Sequence, residues 1–416
     1  MELKPKCHEK IIQLLDKGVD IPNPLTLDIG DDVQVDRISG DGVRIYPGCR
    51  IYGEDTVISA GVQIGEEGPA TVENCQLGPK VELKHGYFKK ATFLEKANMA
   101  MGAYVREGCI FEEQANGAHC VGLKQTILFP FVTLGSLINF CDCLMAGGTS
   151  RKDHSEVGSS YIHFNFTPDS DKTTPSLIGD VPRGVMLNQP RIFLGGQGGL
   201  VGPVRLGFGN VVAAGTILRN DVIEDNKLII GKTYRRRVID FVPRSYPRIS
   251  RIVENNIYYL ANLAALEQWY IHVRKPFFSK QPFGGLIHAG LLDKVSMAKN
   301  ERLKRLETMA QKMPESLETN NKGRASTARQ AFHAHIQEVL ALFRSDSTFG
   351  KAVDKRDPFL DALFAHRQRH DGSYIEVIQS LPAALSKQGT HWLDQIIDDL
   401  CHQTKMILPA LALFNK

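Results

Sequence analysis

Two histidines lie in polar surroundings that suit proton transfer. His154 belongs to the segment Arg151-Lys-Asp-His-Ser155, which places a carboxylate beside the imidazole and two cations close to it. His163 lies two residues before Asn165. Because imidazole titrates near neutral pH, either side chain is a candidate catalytic general base toward an amine or hydroxyl acceptor. The alternatives are a solvated loop histidine for His154 and a locally hydrogen-bonded histidine for His163. His85 and His119 are expected to have structural roles.

The other motifs do not favour a metal site or a phosphate-binding loop. Cys141-x-Cys143 is the closest pair among the eight cysteines, and a structural zinc site would need a second such pair. The run Gly195–Gly199 is rich in glycine, but a phosphate loop needs a strand before it and a helix after it. We therefore predict no metal, and turns at this glycine run.

The elements that position these side chains are predicted by a six-residue rhythm, a pattern in which large apolar residues recur every six positions. From residue 93 to residue 129 every sixth residue but one is large and apolar, and a smaller residue follows four positions later. The large positions are Phe93, Met99, Val105, Phe111, Gly117 (the exception), Leu123 and Phe129, and the smaller ones are Ala97, Ala103, Cys109, Ala115, Val121, Ile127 and Thr133. An α-helix repeats at 3.6 and a flat strand at 2, so neither explains a period of six. Hexapeptide repeats are typical of a parallel β-helix, in which stacked coils share one core.

This rhythm divides the chain into three parts. Residues 1–30 are predicted to form a short helical leader, residues 31–232 a parallel β-helix, and residues 233–416 an all-α domain, because helical spacing replaces the hexads there. The polar stretch 147–176 interrupts the hexads and is predicted to be an extended loop. Residues 1–231 carry 22 basic and 28 acidic side chains, whereas residues 232–416 carry 28 and 18. The asymmetry favours a basic face on the helical part.

Composition indicates a cytoplasmic protein. Hydrophobic residues make up 43% of the chain, yet no apolar run approaches the ~20 residues that a membrane span needs. The first ten residues, MELKPKCHEK, lack the apolar core of a signal peptide. Scattered cysteines are expected to stay reduced in the cytoplasm. Because no basic sheet surface is interleaved with aromatic residues, nucleic acid is an unlikely partner.

Four stretches within and after the hexads resemble the left-handed β-helix (hexapeptide-repeat) acyltransferases. Within them, the pattern is most similar to the acetyltransferase half of the bifunctional UDP-N-acetylglucosamine pyrophosphorylase/glucosamine-1-phosphate acetyltransferase. The stretches are AHCVGLKQTIL, VTLGSLINFCD, HFNFTPDSDKTTPSLIGD and GLVGPVRLGFGNVVAAGTILRNDV. They span about a quarter of the chain, from Gly117 to Val222. The left-handed sense of the predicted β-helix follows from this resemblance alone.

The resemblance implies a substrate site. Lys124 matches a lysine that binds a sugar or nucleotide phosphate, a role that suits a point charge. Asn165 and Phe166 match the family's Asn-Tyr pair beside the acceptor and the acyl group, and Lys172 falls near the lysine of that loop.

The same resemblance implies a binding path for acyl-CoA, with acetyl-CoA as the expected co-substrate. Ala213 and Ala214 fall where the family lets the pantetheine arm lie against the backbone. Gly195 and Gly196 would also permit a close approach, since glycine has no side chain.

Two departures from the family pattern bear on activity. The family's catalytic histidine is replaced by Ser136, and a hydroxyl cannot accept a proton at neutral pH as imidazole can. The family's tyrosine three places later is Asn139. No G-x-G-T-R loop lies near residue 10, so we predict no nucleotidyltransferase domain and no uridylyl transfer.

Two functions from different classes fit these residues. The first is an acyl-CoA-dependent transferase acting on a nucleotide-linked or phosphorylated amino sugar, with each site in a groove between two subunits of a homotrimer. The alternative is a non-catalytic sugar-nucleotide-binding or scaffold protein with a β-helix trimer core. Ser136 favours the scaffold, whereas Asn165 and Lys172 favour the enzyme. We favour the enzyme.

Overall fold

The computed structural model describes residues 4–232, 236–319, 324–344 and 352–415. Residues 28–229 wind into a parallel β-solenoid, and the described residues from 249 onward are mostly helical, as predicted. The predicted boundary between residues 232 and 233 lies next to residues 233–235, which fall outside the described part of the chain.

The solenoid is a three-sided prism whose faces are ladders of short parallel strands. Face 1 contains β1 (Asp28–Ile29), β3 (Arg50–Tyr52), β6 (Ala70–Glu73), β9 (Gly86–Lys89), β12 (Ala103–Val105), the first halves of β15 (Gly122–Leu128) and β17 (Asn139–Met145), β21 (Ile162–Phe164), β24 (Gly199–Val201) and β27 (Ile217–Leu218). Face 2 contains β4 (Val57–Ile58), β7 (Gln76–Leu77), β10 (Ala91–Phe93), β13 (Cys109–Phe111), the second halves of β15 and β17, β22 (Ser176–Ile178) and β25 (Arg205–Leu206). Face 3 contains β2 (Arg44–Ile45), β5 (Gln63–Ile64), β8 (Glu82–Leu83), β11 (Asn98–Met99), β14 (Asn116–Gly117), β16 (Thr133–Leu134), β20 (Glu156–Val157), β23 (Phe193–Leu194), β26 (Val211–Val212) and β28 (Leu228–Ile229).

Three hexads complete one coil of the prism. Asn98 pairs with Asn116, eighteen residues later, on face 3. Phe93 and Phe111 occupy the same position on face 2, are fully buried, and stack with ring centroids 4.4 Å apart. Met99 and Val105 are buried on the two intervening faces. Each large residue of the rhythm therefore fills the core from the next face in turn.

The chain turns each corner through a residue with positive φ. In consecutive hexads this residue lies three positions after the large apolar one, and it is followed by the small buried residue. These corner residues include Lys96, Gly102, Gly108, Gln114 and Cys120, with φ between 57° and 79°. Left-handed backbone costs a non-glycine residue roughly 1–2 kcal/mol, so burial of the flanking apolar side chains must offset the corners that are not glycine.

The polar stretch 147–176, expected as one extended loop, contains regular structure. A hairpin of β18 (Gly148–Ser150) and β19 (Asp153–His154) is followed by the rungs β20 and β21, and residues 165–175 then form an irregular connection to β22. At the other end of the prism, β1 already pairs with β3, so the coils begin inside the predicted leader, after helix α1 (His8–Asp16).

The helical part covers face 2, and no described helix forms a layer on face 1 or face 3. Its elements are α3 (Ile249–Trp269), a π-helix (Tyr270–Arg274), α4 (Lys275–Phe278), α5 (Gly284–Gln311), α6 (Met313–Thr319), α7 (Arg324–Arg344), α8 (Val353–Arg369), α9 (Tyr374–Gln379) and α10 (Ala383–Ile407), while α2 (Val181–Gly184) lies within the solenoid. Helices α3 and α5 contact the strands of face 2 directly. The face 2 strands β10, β13 and β22 are consequently buried at every residue, whereas face 1 strands such as β3 alternate between exposed and buried positions. Among the described residues, no helix combines the length and the apolar character that a membrane span requires.

Helix α5 runs along the prism axis and contacts successive rungs. At Gly290 it lies so close to β7 that a Cβ atom there would fall 2.4 Å from Gln76 Oε1. Farther along, Arg302 Nη2 lies 2.7 Å from Asp142 Oδ1 on β17, and Met309 Sδ contacts the Thr173 hydroxyl just before β22. One helix therefore braces the rungs from β7 to β22.

The interior stack gives a direct test of the coil. We expect Phe111→Ala to lower the free energy of unfolding by about 3–5 kcal/mol, because the ring is fully buried against Phe93. The matched control is Phe166→Ala, whose ring is 70% exposed and whose loss should cost less than about 0.5 kcal/mol. Urea denaturation followed by circular dichroism measures both, and equal losses would contradict the interior position of Phe111.

Candidate functional site

Lys124 lies on β15 where face 1 meets face 2, here called the 1–2 edge. Its neighbour on the next rung is Cys141. The ammonium Nζ lies 2.8 Å from Glu107 Oε1, and both side chains are partly buried. Burial alone would raise the pKa of Glu107, but the hydrogen bond and charge of Lys124 hold that pKa below its ordinary value. Lys124 is thus a cation that an intramolecular carboxylate already engages.

Asn165 and Phe166 lie on the same edge, two rungs farther along. Rungs are about 4.8 Å apart, which places Asn165 about 10 Å from Lys124 along the edge. Both residues are exposed, Phe166 to 70%, and Asn165 Oδ1 accepts a hydrogen bond from the Thr174 hydroxyl. Lys172 is also exposed, at the far side of the 165–175 connection. The structure therefore brings the four predicted substrate residues to one edge.

The 165–175 connection is fixed to the helical part. Arg302 Nη1 donates to the Lys172 carbonyl oxygen at 3.0 Å, and the Tyr246 hydroxyl donates to Asp171 Oδ2 at 3.0 Å. Asn256 Nδ2 donates to the Thr173 carbonyl oxygen at 3.1 Å. These hydrogen bonds hold residues 165–175 in a fixed position against the helical part.

The 3–1 edge, where face 3 meets face 1, carries the predicted acyl-CoA residues in one column. Backbone hydrogen bonds link Ser160 N–H to the Ser136 carbonyl at 2.8 Å and Gly215 N–H to the Gly196 carbonyl at 2.9 Å. A Cβ atom on Gly195 would fall 2.4 Å from the Ala214 nitrogen, so the corners there stack backbone against backbone. Gly195, Gly196, Ala213 and Ala214 therefore continue the column that begins at Ser136.

His119, for which the sequence predicts a structural role, contacts Ser136. His119 occupies the preceding coil of the 3–1 edge, is exposed, and its Nδ1 lies 2.7 Å from Ser136 Oγ. The Ser136 backbone N–H in turn donates to Ser159 Oγ on the next coil at 3.3 Å. An imidazole is therefore present beside the position where the family pattern has its catalytic base.

The coil length could have revealed this pair. Asn116 and Thr133 pair across face 3 at a separation of 17 residues, which is also the separation between His119 and Ser136. Residues one coil apart must be neighbours on the prism, so a register count would have placed the two side chains together.

His154 lies on another edge, where face 2 meets face 3. Its Nδ1 donates to the Arg151 carbonyl oxygen at 2.9 Å, and its Nε2 lies 3.8 Å from Glu156 Oε2. Arg151 fixes the hairpin to the neighbouring coils through the carbonyl oxygens of Gln114 and Phe131 at 3.1 and 2.8 Å. His154 is thus oriented by a carbonyl and faces a carboxylate, but the width of face 3, on the order of 15 Å, separates it from the 3–1 edge.

His163 points into the core of the solenoid. It takes the inward position of face 1 between Phe140 and Leu200, is 4% exposed, and its Nε2 lies 2.9 Å from Ser176 Oγ. Burial lowers its pKa to about 4, because the charged ring would lose its hydration. An interior, neutral histidine cannot reach a ligand on the surface of the prism, so the geometry does not support the catalytic role expected for it.

Across the described ranges, no three histidine, cysteine, aspartate or glutamate side chains converge in an arrangement that could hold a metal ion. The candidate site consists of two lines of side chains, one on the 3–1 edge and one on the 1–2 edge. Face 1 lies between them.

Similarity to known proteins covers about half of the chain. The chain is 27% identical over 217 residues to the bifunctional protein GlmU of Thermotoga maritima, an alignment that covers 51% of this chain and 42% of that protein. It is 27% identical over 223 residues to the GlmU of Trichlorobacter lovleyi, covering 53% and 43% of the two chains. The chain thus spans less than half the length of these curated relatives. No family model matches the sequence.

A search of solved structures finds a UDP-N-acetylglucosamine acyltransferase from Campylobacter jejuni. The match covers 49% of this chain and 67% of that one, with 14% identity and a TM-score of 0.17. A likeness at this level supports no argument about function.

The buried histidine predicts a pH dependence of stability. The folded pKa of His163, about 4, lies below the ordinary value of 6.5, so the unfolded chain binds the proton more readily. Its contribution to stability is complete above pH 6.5 and is lost as the pH falls toward 4. Between pH 8 and pH 4.5 we expect the wild type to lose about 2–3 kcal/mol more than His163→Leu. Urea titrations at a series of pH values measure this difference, and parallel curves would contradict the interior position.

Proposed function

We propose that this chain is an acyl-CoA-dependent transferase that acts on a nucleotide-linked or phosphorylated amino sugar at face 1 of the prism. The observation that carries the proposal is the contact of 2.7 Å between His119 and Ser136, on the edge that also holds Ala213 and Ala214. The similarity to bifunctional GlmU proteins over half of the chain supports the same reaction class.

In this proposal His119 is the general base. If its Nδ1–H donates to Ser136 Oγ, the contact fixes the tautomer and leaves the Nε2 lone pair free. The amine of the sugar attacks the thioester carbonyl carbon and gives its proton to His119 Nε2. The tetrahedral intermediate then expels the thiolate, which takes the same proton from the imidazolium. Ser136 is a positioning residue that holds the imidazole.

Face 1 offers a floor between the two edges. Gly122 lies there between Tyr104 and Asn139 on neighbouring rungs, and a Cβ atom on Gly122 would have no protein atom closer than 3.9 Å. The chain segment that starts at Ser136 crosses face 1 and reaches Cys141, the neighbour of Lys124, after about 15 Å. This distance between the two edges suits a sugar with a phosphate or diphosphate. Lys124 would bind the phosphate by leaving Glu107, and Asn165 and Phe166 would close the same edge.

The co-substrate acyl-CoA, with acetyl-CoA as the expected form, would lie along the 3–1 edge. Gly196 and Ala214 are two and three rungs beyond Ser136, or about 10 and 14 Å. Their corners carry almost no side chain, so an extended arm could approach the backbone there. Bound in this way, the donor would present its acyl group to His119.

The burial of face 2 limits which faces could form the homotrimer that the sequence predicts. Because the chain's own helices bury face 2, we propose that copies associate through faces 1 and 3. Exposed apolar residues on these faces are Tyr104, Ile162 and Ile217 on face 1 and Phe193, Val211 and Leu228 on face 3. In such an assembly a partner would wall the groove over face 1. The cytoplasmic location stays a prediction.

A binding or scaffold protein is the second candidate, and one contact favours it. Lys124 is already engaged by Glu107 at 2.8 Å, so a phosphate would have to displace a bound carboxylate. A scaffold protein would bind the sugar nucleotide without turnover. Whether the wild-type chain transfers an acetyl group to any acceptor decides between the two.

We expect His119→Gln to lower kcat for acetyl transfer about 10²–10⁴-fold with little change in KM for the sugar, because the variant loses the base but keeps a side chain of similar length. Release of the CoA thiol from acetyl-CoA, followed with a thiol reagent and a panel of amino-sugar phosphates and UDP-amino sugars, measures this rate.

Two histidine variants serve as controls for this experiment. His85→Gln changes a residue of the same edge whose Nδ1 accepts a hydrogen bond from Gly102 N–H at 3.0 Å, and it should keep most of the activity. His154→Gln tests the base expected from sequence. If His154→Gln abolishes transfer while His119→Gln does not, the proposed centre is wrong. An absence of transfer with every acceptor would support the scaffold.

The acyl-CoA path predicts a steric effect. Ala214 is exposed on the 3–1 edge, so Ala214→Trp should raise KM for acetyl-CoA at least about tenfold by covering the backbone that the arm would approach. Met101→Trp is the matched control, because Met101 is exposed on the same edge at the other side of His119. Equal KM values for the two variants would contradict the path.

A further inference from the structure

A groove separate from face 1 lies along the 2–3 edge, between the solenoid and the helical part. Its solenoid wall is formed by the corners at residues 78–80, 94–95 and 113, and its helical wall by the segment 274–281 and Tyr374. The cavity has a volume of about 310 Å³ and adjoins a second one of about 260 Å³ that shares Glu95, Glu113 and Tyr374. Pockets of about 300 Å³ and more are typical of small-molecule sites.

Arg274, which lines this groove, has hydrogen-bonding capacity that the described protein atoms do not use. The side chain is 1% exposed. Its Nη2 donates to Glu113 Oε1 at 2.5 Å, whereas Nε and Nη1 are buried and have no acceptor among the described residues. A guanidinium carries five N–H donors, and buried donors of native proteins are nearly always paired. The unused donors indicate a ligand that supplies acceptor oxygens.

Two lysines add positive charge at the rim. Lys80 is an exposed corner residue of the solenoid, and its ammonium has no acidic partner within the part of the chain that the structure describes. Lys280 lies on the opposite wall and pairs with Asp371 at 3.2 Å, where both are largely exposed. The acidic wall residues Glu95 and Glu113 each have a cation of their own, Lys96 and Arg274. The ammonium of Lys80 is therefore the positive charge of this groove that an anionic ligand would neutralise.

The remaining walls are apolar and aromatic. Phe277, Phe278 and Leu94 line the cavity, and the Tyr374 ring stacks under the Arg274 guanidinium with the Cζ atom 3.6 Å from the ring centroid. A flat ring could pack against these side chains while an anionic group faces Arg274 and Lys80.

We propose that this groove binds a small metabolite with one phosphate group on a ring-bearing body, of the chemical class of nucleoside monophosphates. The phosphate oxygens would accept from Arg274 and Lys80, and the ring would pack against Phe277. The groove lies beyond the 2–3 edge, on the far side of the prism from face 1, so it is a second site in addition to the proposed transferase site.

Isothermal titration of the full chain with AMP and UMP tests the proposal, with adenosine and inorganic phosphate as the separate halves of the ligand. We expect one of the two nucleotides to bind at least tenfold more tightly than adenosine or phosphate alone. Lys80→Ala should weaken this binding at least tenfold. The matched control is Lys90→Ala, since Lys90 is another exposed corner lysine with positive φ, on the 1–2 edge.

A second variant addresses the buried cation. Arg274→Lys keeps the charge beside Glu113 but offers fewer donors, and we expect it to weaken nucleotide binding while its circular dichroism spectrum stays that of the wild type. Binding that Lys80→Ala and a folded Arg274→Lys leave unchanged would overturn the proposal, as would the absence of binding by both nucleotides. Binding that His119→Gln or Ala214→Trp weakens instead would assign the nucleotide to the proposed transferase site and would also overturn the proposal.

Discussion

Burial of face 2 is the constraint on which the rest of the structure depends. Face 2 is a parallel ladder that is covered on both sides, since the solenoid core covers one side and helices α3 and α5 cover the other. Two pairs of polar groups cross this interface. Asp142 meets Arg302 at 2.7 Å and the Tyr270 hydroxyl meets Glu112 at 2.5 Å. Burial raises the pKa of Glu112, because the charged carboxylate would lose its hydration there. Losing one partner of a buried pair leaves an uncompensated polar group, so these contacts also fix the register between helices and rungs.

Because face 2 is covered, chemistry on the solenoid is restricted to the other faces and the edges. Face 1 connects the edge of His119 and Ser136 with the edge of Lys124 and Asn165. The third edge lies against the helical part, whose residue Arg274 lines a cavity between the two. The scaffold therefore separates an exposed surface, on which a substrate could lie flat, from an enclosed groove, in which a smaller ligand would be surrounded.

The sequence predicts the coil well but not the neighbours of each coil. A period of six leaves few architectures, so Phe93, Met99 and Phe111 could be assigned to a shared core, and the helical spacing of the second part was equally clear. Which face the helices cover depends on contacts between distant segments, such as Gly290 with Gln76, that leave no local pattern. His163 shows the same limit. It belongs to a polar stretch, yet pairing of Asn139 with Ile162 turns the following residue inward. The contact of His119 with Ser136 required the length of one coil, not the type of either residue.

Because α5 runs along the prism axis, the spacing of its turns is related to the spacing of the rungs that it contacts. Between Gly290 and Met309 the helix rises about 28 Å at 1.5 Å per residue, and the five rung steps from β7 to β22 span about 24 Å at 4.8 Å each. The two lengths are similar, since the spacing between rungs is slightly less than one helical turn of 5.4 Å. Duplication or deletion of a single coil inside this stretch would shift every later contact by almost one turn. A change in the number of coils there would therefore require α5 to gain or lose three to four residues to keep its later contacts.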